Sequence, residues 1–438
     1  MGDDRPASRP LPRAVIVLGW VSFFTDASAD MIYPLVPAFL VSLGGGAMAL
    51  GWLEGVAEAV SAAIKLWAGR RIDRTGHPKR FVVAGYGISA LSRPLYALAS
   101  APIHAVLVRV ADRVGKGLRG PPRDAMLAAV VDKESRGHAF GFHRMMDNFG
   151  GVAGPILAFF ALRLAELPLR TVFMLSVFPG LVSVALAQFF LKEPKLPARD
   201  VAAETKASEE AAATAAKPTA DAAIEAETSV EATSSADADG AAKRSLLDEE
   251  RAAAHVLPWR FFVVTAVFTL AASGDLFLMR RLTELKMDVA YVPLAWVSLQ
   301  LLKGLFNVPG GRASDRFGRR RVLAIAWLLY AVTYAGFGFA PTWWAAWLLI
   351  VPYALHYGLA EGGQRALLTD LVPKALRGRA FGIQLAIEGL FILPANVGFG
   401  FVADRFGPIP AFVAAGSCAA LAALLLIAIV PQTKPHAT

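Results

Sequence analysis

The chain has 438 residues, of which 55% are hydrophobic and only 18% charged, and its mean hydropathy is +0.49. A water-soluble globule of this length has too little interior to hide so much apolar surface, so the excess faces lipid. Its single cysteine, Cys418, excludes disulfides, iron–sulfur clusters and thiolate zinc sites, and the formal charge of +9 suggests nucleic acid only until it is split along the chain.

Apolar stretches of the ~20 residues needed to cross a ~30 Å hydrocarbon layer recur throughout. They predict helices over about 14–41, 47–68, 80–100, 103–130, 137–163 and 168–191, then 258–282, 291–313, 320–340, 342–371, 377–402 and 408–430. The first span meets the polar Asp26 and Asp30 with no small-residue cleavage site, so it is expected to be retained. Between 193 and 255 the composition shifts to Ala, Glu, Thr, Ser and Asp without an aromatic residue, a segment too poor in apolar surface to offset the entropy of ordering it. It predicts a disordered cytoplasmic linker (193–255) between an N-terminal six-helix bundle (1–192) and a C-terminal one (256–438). This stretch holds 14 acidic and 7 basic residues, a net of −7, so the rest of the chain carries +16. Those charges collect in alternate loops, around Arg70 to Arg80, Lys133 to Arg136, Arg316 to Arg321 and Lys374 to Arg379, while loops such as 42–48 and 100–102 are short and nearly uncharged. The positive-inside rule places the basic loops, the linker and both termini in the cytoplasm, and makes the lipid bilayer, not nucleic acid, the partner.

The two halves echo each other at a spacing near 242. Arg136-Gly137-x-Ala139-Phe140-Gly141 returns as Arg377-Gly378-x-Ala380-Phe381-Gly382, and Gly69-x-x-x-Asp73-Arg74-x-Gly76 returns as Gly311-x-x-x-Asp315-Arg316-x-Gly318. The second string appears once more, on the other face, as Gly400-x-x-x-Asp404-Arg405-x-Gly407, which fits three-helix units of inverted topology nested in each half. The expected fold is an all-α membrane protein with twelve transmembrane helices in two pseudo-symmetric six-helix bundles.

These strings resemble the major facilitator superfamily over essentially the whole chain outside the linker, and its antiporter and drug-efflux-like branch in particular. Gly69–Arg80 and Gly311–Arg321 are similar to the family's loop motif, Arg113-x-x-x-Gly117 to its helix-4 arginine motif, and Gly150-Gly151-x-x-Gly154-Pro155 to the helix-5 signature of the antiporters. The chain departs from the pattern at His77-Pro78 and at Ile156–Phe160, which stand where basic residues and glycines are usual. The resemblance implies alternating access between two rocking halves, and secondary transport of a small molecule across the inner membrane. It further implies a cytoplasmic gate at Gly69, Asp73, Arg74, Gly76, Gly311, Asp315, Arg316 and Gly318, and a helix-5 packing motif at Gly150, Gly151, Gly154 and Pro155 that limits leakage.

An ionised side chain at the bilayer centre costs at least ~2.5–3.5 kcal/mol, so interior charges face the bundle core or a wet cavity. Asp26 and Asp30 share a helix face with Tyr33. Glu54 and Glu58 follow on helix 2, Arg109 and Arg113 on helix 4, His143 and Asp147 on helix 5, Asp275 on helix 7, His356, Glu361 and Arg365 on helix 10, and Glu388 on helix 11. Asp147 and Glu388 are repeat mates, each ten residues beyond Gly137 and Gly378, and so near the midplane. A low-dielectric site raises a carboxylate's pKa, which lets it load and release a proton as hydration changes. The expected substrate and proton-coupling cavity comprises these residues. The alternative is that the acids and arginines are permanent ion pairs that fix the packing. No metal site and no cofactor are expected, and with no Gly-x-x-x-x-Gly-Lys-Ser/Thr loop the energy source is an ion gradient. The expected function is a proton-coupled exporter of a small organic molecule, with a proton-coupled importer or uniporter of a charged metabolite, and a non-transporting receptor or scaffold, as the alternatives; no grouping of nucleophile, base and orienting residue that would make it an enzyme is seen. A monomer is expected.

Overall fold

The computed structural model describes residues 11–132, 136–193, 257–373 and 376–431, and of residues 73, 74, 136 and 137 the backbone only. The expected linker, apart from Glu193, and both chain ends lie outside the described residues, as do the side chains of Asp73 and Arg74. Twelve helical spans run through what is described, and it contains no strand. They are α1 (Arg13–Ser42), α2 (Ala47–Thr75), α3 (Pro78–Ser92 with a 3-10 turn at Arg93–Leu98), α4 (Pro102–Ala129), α5 (Arg136–Arg163) and α6 (Leu169–Phe190). Then follow α7 (Trp259–Glu284), α8 (Val289–Phe317), α9 (Arg319–Phe339), α10 (Trp343–Leu348 and Ile350–Leu371), α11 (Arg377–Phe406) and α12 (Pro408–Ile429). The end of the bundle where α2, α8 and α10 finish and α3, α9 and α11 begin carries the basic loops, and is the basic end below.

α2, α8 and α11 continue past the boundaries read from hydropathy. Their last turns carry charges such as Arg70, Arg71, Arg316 and Arg405, so apolarity stops before helical hydrogen bonding does. Each then ends on a glycine with positive φ: Gly76 at 66°, Gly318 at 94° and Gly407 at 91°. Left-handed backbone is cheap only without a Cβ, which accounts for the last glycine of the thrice-repeated string.

α1 and α7 are broken at equivalent depths, α1 between Asp30 and the segment Val36–Ser42, α7 between Ala271 and Leu276. Pro34 withholds a backbone donor at the first break, and at the second the backbone N–H of Gly274 is taken up by the Asn396 side chain of α11 at 2.9 Å. Discontinuous helices at mid-depth turn backbone and side chains toward a central space.

α4 is inside-out for a soluble helix. Arg109, Asp112, Arg113 and Arg119 are buried while Ile103 and Leu107 are exposed on the outer face, as lipid requires. Glycines set how closely it and its neighbours approach. A Cβ on Gly85 of α3 would lie 2.6 Å from the Gly115 carbonyl oxygen of α4, and Cβ atoms on Gly150 and Gly154 of α5 would lie 2.3 and 2.2 Å from carbonyl oxygens of α1. The helix-5 glycines are thus where α5 and α1 meet backbone to backbone.

α1 to α6 pack together, α7 to α12 pack together, and the two sets meet chiefly along α2 with α11 and α5 with α8. The tightest approaches across this boundary lie away from the basic end. A Cβ on Gly51 would sit 2.3 Å from the Asn396 carbonyl oxygen, and one on Gly400 would sit 2.4 Å from that of Ala47. Asp404, from the third copy of the repeated string, accepts the first backbone N–H groups of α2, Ala47 at 2.6 Å and Met48 at 2.8 Å. A carboxylate at a helix N-terminus satisfies orphan donors and meets the positive end of the dipole, so the second half caps a helix of the first.

Asp404→Ala should therefore loosen the end opposite the basic loops. In a Cys418→Ser background with spin labels at Ser42→Cys and Phe406→Cys, the interlabel distance distribution is expected to shift to longer values. An unchanged distribution would show that the remaining contacts hold this end closed without Asp404.

Candidate functional site

The helix breaks and the inward faces of α1, α4, α7, α8, α10 and α11 surround a central cavity of two lobes, about 600 and 620 Å³ in volume. The lining reaches the first turns of α11 at Phe381 and includes Arg144 and Arg365, whose side chains are 68% and 69% exposed. With the other end sealed by the glycine contacts and Asp404, the space opens toward the basic end.

On the first-half side the interior charges form a bonded lattice. Arg109 Nε donates to Glu54 Oε1 at 3.0 Å, Tyr33 donates its hydroxyl proton to Glu54 Oε2 at 2.5 Å, and the Arg109 guanidinium lies 4.1 Å from the Tyr33 ring centroid. Arg113 pairs with Glu58 at 2.9 Å. Arg93 of α3 holds Asp112 at 3.0 Å and also donates to the Thr25 carbonyl of α1, so one guanidinium ties three helices. Arg119 donates to Ser89 Oγ at 2.7 Å and lies over the Tyr86 ring. All of these arginines are buried, and each is met by a carboxylate, a hydroxyl or a ring face, as a low-dielectric interior demands.

The second-half side is built differently. Asp275, at the α7 break, bonds Lys303 at 2.6 Å and the Tyr353 hydroxyl at 2.6 Å, and the Lys303 ammonium sits 3.8 Å from the Tyr357 ring centroid. Around them Phe268, Tyr330, Tyr334 and Tyr353 form a continuous ring cluster, with Tyr330 stacked on Tyr334 at 4.3 Å. His356 is buried in that cluster and shares a hydrogen bond with the Ala326 carbonyl, 2.8 Å from its Nδ1. Glu388 accepts from the amides of Gln384 at 2.9 Å and Gln364 at 3.3 Å. Glu361 lies between Arg365 of its own helix and Arg144 of α5, an ion pair of 3.5 Å that spans the two halves.

Most residues expected around a cavity are brought to it: Asp26, Asp30, Glu54, Glu58, Arg109, Arg113, Asp275, His356, Glu361, Arg365 and Glu388 line one lobe or both. Two expected lining residues do not line it. Asp147 is turned along its own helix to His143, with 3.4 Å between Oδ1 and Nδ1, on a helix packed against α1. His143 is buried with its Nε2 unpartnered. The close approach at Gly150 and Gly154 rotates this face of α5 onto α1, so repeat mates at equal depth end in different surroundings. Of the loop residues, Asp315 pairs with Arg319 of the same half at 3.5 Å, Arg319 also reaches Asp370 at the end of α10, and Arg316 lies over Phe317. These bonds, among the described residues, lie within the second half. Among the described residues no group of His, Cys, Asp and Glu could hold a metal ion.

Sequence reasoning missed Lys303, Arg93, Tyr353, Tyr357 and the glutamines that hold Glu388. Lys303 and Arg93 each interrupt an apolar run as lone charges, the signal that did expose Asp275, and the same rule applied evenly along the chain finds both. The tyrosines carry no such mark, because an aromatic ring is equally at home in core or lipid.

A lipid-embedded bundle of two six-helix sets around a polar cavity, sealed at one end and open at the other, defines a membrane transporter of the alternating-access class. The family model of the Major Facilitator Superfamily matches residues 18–282 and again 261–438, and the chain belongs to that family. It is thus a multi-pass membrane protein and a secondary transporter. An MFS-type transporter of Methanocaldococcus jannaschii, itself uncharacterized, is 26% identical over 425 residues, covering 96% of this chain and 95% of that one. The multi-drug resistance efflux pump PmrA of Streptococcus pneumoniae is 30% identical over 194 residues, 42% of this chain and 47% of the pump. Among solved structures, a D-xylose–proton symporter superimposes with a TM-score of 0.69 at 17% identity, over 97% of this chain and 99% of the symporter, a likeness of fold.

Removing one partner of a buried ion pair strands the other charge, at a cost of about 3–5 kcal/mol. Arg109→Leu and Glu54→Leu should each lower the thermal midpoint of the detergent-solubilised protein, while the double variant recovers most of the loss. Additive losses in a double-mutant cycle would show that the two side chains act independently.

Proposed function

We propose that the protein is a proton-coupled exporter of a small organic molecule, seated in the inner membrane with the basic end, both termini and the linker in the cytoplasm. The observation that carries this reading is a division among the interior carboxylates. Glu54, Glu58, Asp112 and Asp275 are each paired with an arginine or lysine, whereas Asp26, Asp30 and Glu388 have no cation within 4 Å among the described residues. A paired carboxylate that takes up a proton strands its partner, so it holds its charge and serves packing. An unpaired one facing a cavity whose hydration changes between two states exchanges a proton without that penalty. Asp26, Asp30 and Glu388 are accordingly the coupling groups, and the arginine lattice is scaffold.

Export is supported by the partial likeness to an efflux pump and by the close α1–α5 contact at Gly150 and Gly154, which leaves little room for leakage. The excess of arginine and lysine at one end supports the orientation. In the conformation described, substrate enters from the basic end. Protonation of the free acids and departure of the substrate then accompany the switch between the two closed ends.

Proteoliposomes decide the coupling and its direction. With an acid lumen, an antiporter accumulates substrate inside as protons leave; a symporter does so only with an alkaline lumen. In a pyranine-loaded preparation screened against a panel of amines and amino acids, transported compounds should alkalinise the acid lumen. Asp30→Asn with Glu388→Gln should abolish that response, while Glu388→Gln alone, which leaves the charged groups of the other lobe in place, should retain downhill exchange of substrate. Full pH-driven flux in the double variant would remove these acids from the coupling.

A further inference from the structure

The central cavity is chemically divided. One lobe is walled mostly by charged and amide side chains of α1, α4, α5 and α8; the other has rings that include Phe268, Tyr330, Tyr353 and Phe381 on its wall, together with Gln384, Arg365 and Glu388. Both lobes are lined by Tyr33, Glu58, Tyr357 and Glu361, so they form one continuous space.

Within the polar lobe most charges are already taken up by a neighbour. Arg93, Arg109 and Arg113 are matched by Asp112, Glu54 and Glu58, Lys303 by Asp275, and Arg144 by Glu361. Arg119 spends its donors on Ser89 and the Tyr86 ring. Three lining charges have no ion pair and no hydrogen bond among the described residues: Asp26 and Asp30 on α1 and Lys116 on α4, whose side chain is exposed to the lobe. They face one lobe without meeting, since no ion pair within 4 Å joins Lys116 to either acid. Free carboxylates and a free ammonium held apart in one small space leave two kinds of charge to be satisfied. A ligand of one sign satisfies only one of them and desolvates the other for nothing.

We propose that the substrate is an amphiphilic zwitterion. Its cationic nitrogen is held by Asp30 and Asp26, its anionic group by Lys116, and its aromatic or apolar body lies among the rings of the other lobe. Charge-assisted hydrogen bonds fix the head group, and ring faces take the body by stacking and burial. The biological meaning of this site rests on the transport reading above, but the binding itself needs neither a gradient nor a proton.

The test uses the purified full-length chain in detergent and three probes with one indole body: tryptophan with both charges, tryptamine with the ammonium alone, and indole-3-propionate with the carboxylate alone. Binding is read by thermal shift and titration at constant pH. Tryptophan is expected to bind about tenfold or more tightly than either singly charged probe, the difference of roughly one charge-assisted hydrogen bond. Lys116→Gln should bring tryptophan down to the tryptamine level and leave tryptamine within about twofold, Lys116→Arg should restore it, and Asp30→Asn should weaken tryptophan and tryptamine alike. Equal binding of all three probes, no tryptophan binding at millimolar concentration, or indifference of tryptophan to Lys116→Gln overturns the proposal. Charge-selective binding without proton-coupled flux in liposomes would sink the coupling and keep the site; coupled flux without charge selectivity would do the reverse.

Discussion

α4 carries seven charged residues, and five of them, Arg109, Asp112, Arg113, Lys116 and Arg119, run through a layer in which no lipid group can solvate them; much of the first half is arranged to meet that demand. Glu54 and Glu58 project from α2 because two of these arginines face it, Arg93 arrives from α3 to hold Asp112, and Tyr33 is drawn under Arg109 at the α1 break. Each bond fixes two helices, so α1 to α4 are tied by polar bonds as well as by packing. The second half solves its interior with far less charge. Tyr330, Tyr334, Tyr353, Phe337 and Phe412 pack as a ring cluster with Asp275 and Lys303 on its edge. Pseudo-symmetry governs the path of the chain and leaves the chemistry of the two interiors free to differ.

Two such bodies can move against each other only if the surface between them is cheap to part. The boundary away from the basic end combines backbone-to-backbone approaches, at Gly51 with Asn396 and Gly400 with Ala47, with an apolar core shared by both halves and ring contacts such as Tyr33 with Trp296 and Phe159 with Tyr291. Close packing of small residues is how membrane helices associate when lipid competes equally for apolar side chains. Asp404 adds a directional bond to this contact, and because it bonds backbone N–H groups its grip depends on the placement of α2 and not on any partner side chain. The Arg144–Glu361 pair, half-exposed and screened by water, is the weaker tie nearer the basic end.

Helix count, the duplication and the membrane setting were legible in the sequence because they rest on long apolar runs and recurring strings, signals summed over many residues. α3, α4 and α10 were read from apolar stretches like the others, although among the described residues nine spans qualify by hydropathy and length and these three do not. The helix ends were less legible, since a charged last turn reads as loop. Most interior charge was visible residue by residue, Lys303 and Arg93 being the exceptions, yet its pairing was not. Asp147 and Glu388 occupy equivalent places in equivalent helices and differ in the structure because two glycines, Gly150 and Gly154, press one helix face onto α1. Facing of that kind is set by a contact with another helix, and a single helix's sequence does not encode it.

The distinction that pairing draws runs through the whole cavity. An ion pair in a low-dielectric interior is self-satisfied, and it offers an incoming molecule little, because any bond to the molecule replaces one already made. A lone charge kept near water is the opposite case: it is held at the rim of a wet cavity by the scaffold behind it, and it gains from a proton or a ligand. Asp30 and Lys116 are kept in that condition by the lattice, since Arg109 and Arg113 are occupied by Glu54 and Glu58 and are not available to neutralise Asp30, while those same glutamates are not available to Lys116. The scaffold pairs thus do more than hold helices together. By consuming their own counter-charges they leave a small, defined set of groups unsatisfied, and it is that remainder which gives an otherwise neutralised interior something to bind.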